Sequence, residues 1–206
     1  MPKKLTALFL LLCFLCAGCT QTAAQPQSGA PLLPDTGMEF PATFTFSSGA
    51  GAWATNLTLN ANGTFQGDYH DSEMGLTDEG YPNGTVYICT FHGQFTDAQP
   101  IDEYSYRLTL SSLTADGRPE QEIRDGILYA AAGPHGLTCR EPYSSALARD
   151  FVLYTPDTPI AGLNEEFLSW WPGHFEADPP EILDCYALWN TDSNTGFFTL
   201  PRSMMN

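Results

Sequence analysis

A polar loop between two predicted strands carries the densest group of side chains able to bind a metal ion or transfer protons. It begins at His70, ends at Gly80 and contains the carboxylates of Asp71, Glu73, Asp78 and Glu79. Oxygen ligands at this density are typical of a Ca²⁺ site, although their spacing does not match an EF-hand loop. The alternative is a solvated surface loop that binds no metal.

The same loop suggests a second chemistry, because two carboxylates that flank a glycosidic bond can hydrolyse it. Asp71 with Glu73 or Glu79 would supply the acid and the base. The chain contains no G-x-S-x-G or H-E-x-x-H motif, which argues against the common nucleophilic and zinc-dependent hydrolases. The sequence therefore favours a binding or interaction protein over a carboxylate-dependent hydrolase, and it predicts no cofactor.

The first 19 residues combine a positive start, a short apolar segment and a cysteine. Lys3 and Lys4 precede an apolar run, residues 5 to 15, that is shorter than the roughly 20 residues of a membrane-spanning helix. Small residues then lead into Cys19. This order predicts a secretory signal over residues 1–18, with Cys19 at the start of the mature chain.

This signal resembles that of bacterial lipoproteins, in which diacylglycerol is attached to the cysteine sulfur before cleavage. The resemblance implies lipidation of Cys19, with palmitate among the acyl chains. It also implies attachment to the outer face of the cell membrane through that anchor. The alternative is an ordinary cleaved signal that leaves Cys19 as a free thiol.

Lipidation of Cys19 would leave three further cysteines, which allow at most one disulfide. They are Cys89, Cys139 and Cys185. The alternation of a predicted strand turns Cys89 inward, where a thiol behaves as a small apolar side chain. We therefore predict a Cys139–Cys185 disulfide, with three reduced and buried thiols as the alternative.

The charge of the chain is strongly negative. It contains 24 acidic and 8 basic residues, for a net charge of −16. Removal of the signal takes away both lysines, so the mature chain has only scattered arginines and no basic patch that could neutralise phosphates. This composition argues against a nucleic-acid partner, and it leaves acyl chains rather than surface charge to hold the protein at a membrane.

The region after Cys19 changes character at residue 42. Residues 20 to 41 are rich in Gln, Ala, Pro, Ser and Thr and have neither helical nor strand periodicity. We therefore predict a flexible tether over residues 19–41 and one domain over residues 42–206, which is long enough to enclose a core.

Alternation of apolar and polar residues predicts that this domain is built from strands. The clearest hairpin combines residues 53 to 59, a turn around Asn62 and Gly63, and a return strand from Phe65 to Tyr69. The other predicted strands span residues 87–95, 104–110, 43–47, 127–131, 151–154, 183–189 and 195–200.

A single short helix is predicted near the carboxyl terminus. Asn164 supplies a helix cap, two glutamates follow it, and Pro172 ends the helix beyond Trp171. Trp170 and Trp171 suggest stacking on a carbohydrate, but a helix face packed over one barrel end is the preferred interpretation. Nine strands and one short helix predict an all-β fold, either an antiparallel β-barrel or a strongly curved sheet, with a two-sheet sandwich as the alternative.

The hairpin between residues 49 and 69 resembles the opening hairpin of lipocalin-like and avidin-like barrels. The resemblance rests on Gly51-Ala52-Trp53, Leu57, Leu59, Asn62-Gly63, Phe65, Gly67 and Tyr69. In those families a tryptophan near the strand start closes one barrel end, and the interior holds a small apolar or vitamin-like ligand. The mature chain, with residues 80–87 and 167–170, also resembles uncharacterised lipoproteins of Gram-positive anaerobes, a resemblance that implies no activity.

The leading functional hypothesis is a tethered domain that takes a small apolar molecule into the barrel interior. The predicted interior residues are Trp53, Phe65, Tyr87, Phe91 and Tyr106. The alternative is a structural or host-facing module without a cavity, which would contact a protein partner through its loops and acidic surface.

Overall fold

The structure is a computed structural model that describes residues 31–116, 121–139 and 148–204. Ten strands account for most of the regular structure in these residues. They are β1 (Ala42–Ser47), β2 (Trp53–Leu59), β3 (Thr64–Glu73), β4 (Thr85–Pro100), β5 (Ser105–Asp116), β6 (Glu122–Arg124), β7 (Ile127–Ala131), β8 (Asp150–Tyr154), β9 (Ala187–Asn190) and β10 (Thr195–Phe198).

Eight of these strands form a closed antiparallel barrel. The strand order is β3, β2, β1, β10, β9, β8, β5 and β4, and the pairing of β3 with β4 closes the ring. Closure leaves no unpaired edge among these eight strands, so the backbone N–H and C=O groups of an open sheet edge are not exposed to other chains. The predicted antiparallel barrel is confirmed.

Strand alternation fills the barrel with large apolar side chains. On β1 and β2 the inward positions include Phe44, Leu57 and Leu59, all without exposed surface. Facing strands contribute Leu108, Leu110, Phe151, Leu153, Leu188 and Phe197 to the same core. An eight-stranded barrel is just wide enough for such side chains to fill it.

A short ribbon extends the sheet outside the barrel. β7 runs parallel to the start of β4, and β6 pairs with β7. Arg124 on β6 stacks over the ring of Tyr129 on β7, with 4.3 Å between guanidinium carbon and ring centroid. β6 is the one described strand that the sequence analysis did not predict.

One end of the barrel is covered by residues that the sequence analysis assigned to the tether. The Leu32 amide donates to the Ala61 carbonyl at 2.7 Å, and Leu33 is buried in the barrel core. The hydroxyl of Tyr186 donates to the carbonyl of Thr36. The folded region therefore includes residues 31 to 41, so the predicted boundary at residue 42 is too late. Cys19 and the rest of the predicted signal and tether lie outside the described residues.

The opposite end is covered by the segment after β7. The backbone carbonyl of His135 accepts from the Thr55 hydroxyl at 3.0 Å, and that of Gly136 accepts from the Asn190 amide at 2.8 Å. Leu137 then inserts into the core with no exposed surface. The chain itself thus closes both ends of the barrel.

A second apolar cluster, which we name the outer-wall cluster, lies on the outer wall of β8, β9 and β10. Its buried residues are Val152, Tyr154, Phe167, Trp171, Leu183, Cys185, Ala187 and Phe198. The segment between β8 and β9 folds over this wall and contains helix α1 (Glu165–Leu168). The Asn164 side chain accepts from the Phe167 amide at 2.9 Å, which confirms the predicted helix cap. Phe167 and Trp171 are buried against the wall. Trp170 packs at the barrel end against Phe46, as the preferred interpretation of this helix expects.

Candidate functional site

Two of the five predicted ligand-binding residues fill space in the barrel that neighbouring glycines leave open. Phe65 on β3 lies opposite Gly93 on β4, and Phe91 lies opposite Gly67. A Cβ atom on Gly93 would lie 2.3 Å from Phe65, and one on Gly67 would lie 2.4 Å from Phe91. These rings therefore take the place of the missing side chains and form part of the packed core.

The other three predicted residues are half-buried. Trp53 lies at the covered end of the barrel, 4.8 Å between ring centroids from Phe46 and 6.0 Å from Trp170. Tyr106 packs against the core from β5. Tyr87 lies near the start of β4, opposite Asp71. The five side chains are thus distributed over the core and its margin.

His135 completes the aromatic group at the end that holds Trp53. Its ring stacks on Phe46 with 5.5 Å between centroids, makes a T-shaped contact with Trp53 at 5.3 Å and lies tilted against Tyr69 at 5.3 Å. Burial lowers the pKa of His135 below its usual 6.5, while the negative charge of Asp71 acts in the opposite direction. The neutral imidazole is therefore the form that this packing favours.

The carboxylates of the predicted metal site do not converge. Asp71 accepts a hydrogen bond from the Tyr69 hydroxyl at 3.2 Å, and Glu73 is exposed at the end of β3. Asp78 pairs through its backbone with Tyr81, and Glu79 is exposed beside it. Among the described residues, no three His, Cys, Asp or Glu side chains form a group that could hold a metal ion. Asp71 and Glu73 belong to β3, and Asp78 and Glu79 lie in the exposed turn that follows this strand.

The predicted disulfide is not formed. Cys89, Cys139 and Cys185 are free thiols. Cys139 packs against the barrel core, whereas Cys185 is buried in the outer-wall cluster, so the barrel wall separates their surroundings. The inward orientation of Cys89 is confirmed.

A cleft of about 530 Å³ lies on the outer wall of the barrel, beside the outer-wall cluster. We name it the outer-wall cleft. Its floor follows from strand register, because Arg107 on β5 pairs with Val152 on β8, which pairs with Trp189 on β9. Adjacent strands are about 4.8 Å apart, so the backbones of Arg107 and Trp189 lie about 10 Å from each other.

The rows on either side of this floor add polar and aromatic groups. In one row Ser105 pairs with Tyr154, and in the other Thr109 pairs with Asp150. Ile101, Asp102 and Leu163 contribute from the loops around the cleft. The outer-wall cleft thus combines apolar and aromatic side chains with the charged groups of Asp102, Arg107 and Asp150.

The aromatic floor carries one unsatisfied donor. The Trp189 ring lies parallel to Tyr154, with 6.4 Å between centroids and 19° between planes. Its indole nitrogen is buried and has no hydrogen-bond partner among the described residues. An unpaired buried donor costs about 1–3 kcal/mol, so the packing at this position is not optimised for stability alone.

The sequence analysis did not identify this cleft. A signal was available, because Phe151 to Tyr154 are apolar at four successive positions and all are buried. A strand with one solvated face alternates, whereas a continuous apolar run indicates that both faces are covered. This apolar run therefore predicts that another segment covers the outer face of β8, but it does not predict the cleft beside that segment.

Comparisons with protein-family models, curated proteins and solved structures find no match to this chain. Within the described residues, no helix has the length and apolar character needed to cross a membrane.

Proposed function

We propose that this chain is a lipid-anchored bacterial protein of the outer face of the cell membrane, and that it binds a small ligand in the outer-wall cleft. The observation that carries the proposal is the contrast between two spaces. Phe and Leu side chains fill the barrel interior, whereas a cleft of about 530 Å³ with a mixed apolar and polar lining opens on its outer wall. The barrel is then a rigid scaffold for a site on its surface.

The anchor part of the proposal is supported by the amino-terminal sequence. Lys3, Lys4, the short apolar run and Cys19 have the order of a lipoprotein signal. The resemblance to lipoproteins of Gram-positive anaerobes is consistent with this location. The acidic surface adds no attraction to anionic lipids, so the acyl chains would supply the membrane affinity.

Metabolic labelling of the bacterium with radioactive palmitate tests the anchor. We expect label on the wild-type chain and none on Cys19→Ala. Cys13→Ala is the matched control, because it removes a neighbouring cysteine and should leave labelling intact. Equal labelling of wild type and Cys19→Ala, or no labelling of either, would contradict the lipid anchor.

Ligand-observed NMR with the full chain in detergent tests the cleft. The probes are a mixed panel of neutral sugars, amino acids and small carboxylic acids at millimolar concentration. We expect at least one probe to bind, and binding to disappear in Leu163→Trp, which places a larger ring at the edge of the cleft. Leu200→Trp is the control, because Leu200 is 66% exposed and does not line the cleft.

Thermal unfolding of both variants establishes that they are folded before binding is compared. If folded Leu163→Trp still binds the probe, the ligand binds outside the cleft. A panel without any binder would remove the small-ligand proposal.

A further inference from the structure

The polar groups of the outer-wall cleft include hydrogen-bond donors in the floor row and acceptors on both sides of it. Arg107 provides donors, and among the described residues its guanidinium pairs with no acidic side chain. Asp102 and Asp150 provide acceptors. A ligand that spans the cleft therefore meets groups of both kinds.

Asp102 is held in position before any ligand arrives. One of its carboxylate oxygens accepts from the Ser105 hydroxyl at 2.7 Å and from the Tyr104 amide at 2.9 Å. This leaves the other carboxylate oxygen for a ligand. A fixed acceptor costs less conformational entropy on binding than a free side chain, so it adds to both affinity and orientation.

The backbone around Asp150 is fixed in a similar way. Its carbonyl accepts from the amide of Thr191 at 3.1 Å and from the Thr191 hydroxyl at 2.9 Å. The carboxylate itself is exposed at the edge of the cleft. Asp150 lies one strand row beyond Arg107, because Asp150 pairs with Thr109 and Val152 pairs with Arg107.

Charge excludes one large group of ligands. The cleft contains two aspartates and one arginine, and the chain as a whole carries a net charge of −16. The local and the global field therefore both oppose an anion, so phosphates and polycarboxylates are poor candidates. A neutral ligand avoids this repulsion.

We infer that the outer-wall cleft binds a neutral saccharide. The inference deepens the proposed function and rests on it. Each sugar hydroxyl donates and accepts, so one ligand can donate to Asp102 and Asp150 and accept from Arg107. The apolar C–H face of the sugar ring would lie on Val152 and Trp189 of the floor, beside Leu163 at the edge of the cleft. A purely apolar ligand would displace water from Arg107, Asp150 and the second oxygen of Asp102 without replacing its hydrogen bonds.

Titration of the full chain in detergent with three classes of probe tests this inference. The neutral probes are lactose, maltose and N-acetylglucosamine, the anionic probe is glucuronate, and the zwitterionic probe is leucine. We expect a neutral probe to bind about tenfold or more tightly than the charged ones. Leucine is the sharpest alternative, because its ammonium and carboxylate groups could pair with Asp150 and Arg107.

Two substitutions locate the contacts. Arg107→Met keeps the aliphatic stem but removes the donors, and Asp150→Asn replaces an acceptor oxygen with a donor. Each should weaken the neutral probe about tenfold, the loss expected for a hydrogen bond to a charged group. Arg124→Met is the control, because it removes the same charge on the β6–β7 ribbon and should leave binding unchanged.

The outcomes separate this inference from the proposed function. Tightest binding of leucine or glucuronate, lost in Arg107→Met, would overturn the saccharide inference while the cleft remained a ligand site. Saccharide binding that is equal in wild type, Arg107→Met and Asp150→Asn would also overturn the inference. A complete absence of binding by all probes would overturn both.

Discussion

His135 is held between three aromatic rings at one end of the barrel. Burial lowers the pKa of His135, so the folded chain binds a proton at this residue less readily than the unfolded chain does. The free energy of unfolding should therefore be unaffected by His135 at high pH and fall as the pH drops below about 6.5.

An NMR titration of the His135 ring should show a midpoint below 6.5. The pH dependence of stability should become shallower in His135→Gln over the same range. A midpoint at or above 6.5 in the folded protein would show that the charge of Asp71 outweighs burial.

Cys185 illustrates a thiol whose surroundings suppress its reactivity. Burial raises the pKa of Cys185 to about 12, so almost no reactive thiolate exists near neutral pH. We expect Cys185 to resist alkylation by iodoacetamide in the folded protein, and Cys139, which is only partly buried, to react faster.

Unfolding without a reductant provides the matching measurement. Mass spectrometry should then show that both Cys139 and Cys185 are alkylated, as separate thiols require. A mass that lacks both alkyl groups would restore the disulfide that the sequence analysis predicted.

For single residues, the sequence predicts whether a side chain points inward better than it predicts which residue that side chain contacts. The alternation of the predicted strand indicates an inward Cys89, and the residues around Asn164 indicate a helix cap there; both predictions are confirmed. The predicted partner of Cys139 was wrong, because the distance between two cysteines depends on the whole fold, which the local sequence does not determine. It likewise could not decide whether the carboxylates around Asp71 converge.

The pairing of β3 with β4 depends on two phenylalanines that lie over two glycines. An alanine at Gly93 would place its Cβ 2.3 Å from Phe65 and 2.4 Å from the backbone oxygen of Ser112. Gly93→Ala should therefore lower the free energy of unfolding by about 1–3 kcal/mol, the usual cost of overpacking.

Urea denaturation measures this effect. Gly133→Ala is the control, because a Cβ there meets no atom within 4 Å and should change stability by less than about 0.5 kcal/mol. Gly93→Ala should also lower the free energy of unfolding by a smaller amount in a Phe65→Leu background, because leucine lacks the ring that the added Cβ would meet. Equal effects of Gly93→Ala and Gly133→Ala would contradict the packed interior.

The segment before β1 belongs to the folded domain. Leu33 is 6% exposed and joins the barrel core, so Leu33→Ala should lower the free energy of unfolding by about 2–5 kcal/mol. Leu200→Ala makes the same change at an exposed position and should cost less than about 0.5 kcal/mol. Similar free energies of unfolding for Leu33→Ala and Leu200→Ala would show that residues 31 to 41 belong to the tether and not to the folded domain.

The sequence predicts most strands because one-sided burial produces alternation. The sequence predicts the start of a strand over residues 183 to 186, but β9 begins at Ala187, because Asp184 has a positive φ of 56° that interrupts the extended backbone. Residues 31 to 41 lack periodicity and were assigned to the tether for that reason. Irregular segments are buried by tertiary contacts, which leave no periodic signal.

The whole molecule combines a closed, filled barrel with a second apolar layer on part of its outer wall. The predicted barrel is confirmed, whereas two of the five interior residues predicted as a ligand site, Phe65 and Phe91, are packed in its core. A hairpin pattern can specify a barrel wall, but the free volume inside depends on side chains from every strand and from both covering segments.

The strong negative charge acts at this scale as well. It does not determine the fold, but it biases which ligands approach the outer-wall cleft. The bias against anionic ligands is therefore a property of the whole chain together with Asp102 and Asp150.

The central claim is that ligand binds on the outer wall and not inside the barrel, and indole NMR tests it directly. The chain has four tryptophans, of which Trp189 lines the outer-wall cleft and Trp53 lies at the barrel end. During titration with the tightest-binding probe, the indole signal of Trp189, assigned with Trp189→Phe, should shift while that of Trp53 stays in place. A shift of the Trp53 signal with an unchanged Trp189 signal would place the ligand at the barrel end and contradict the account.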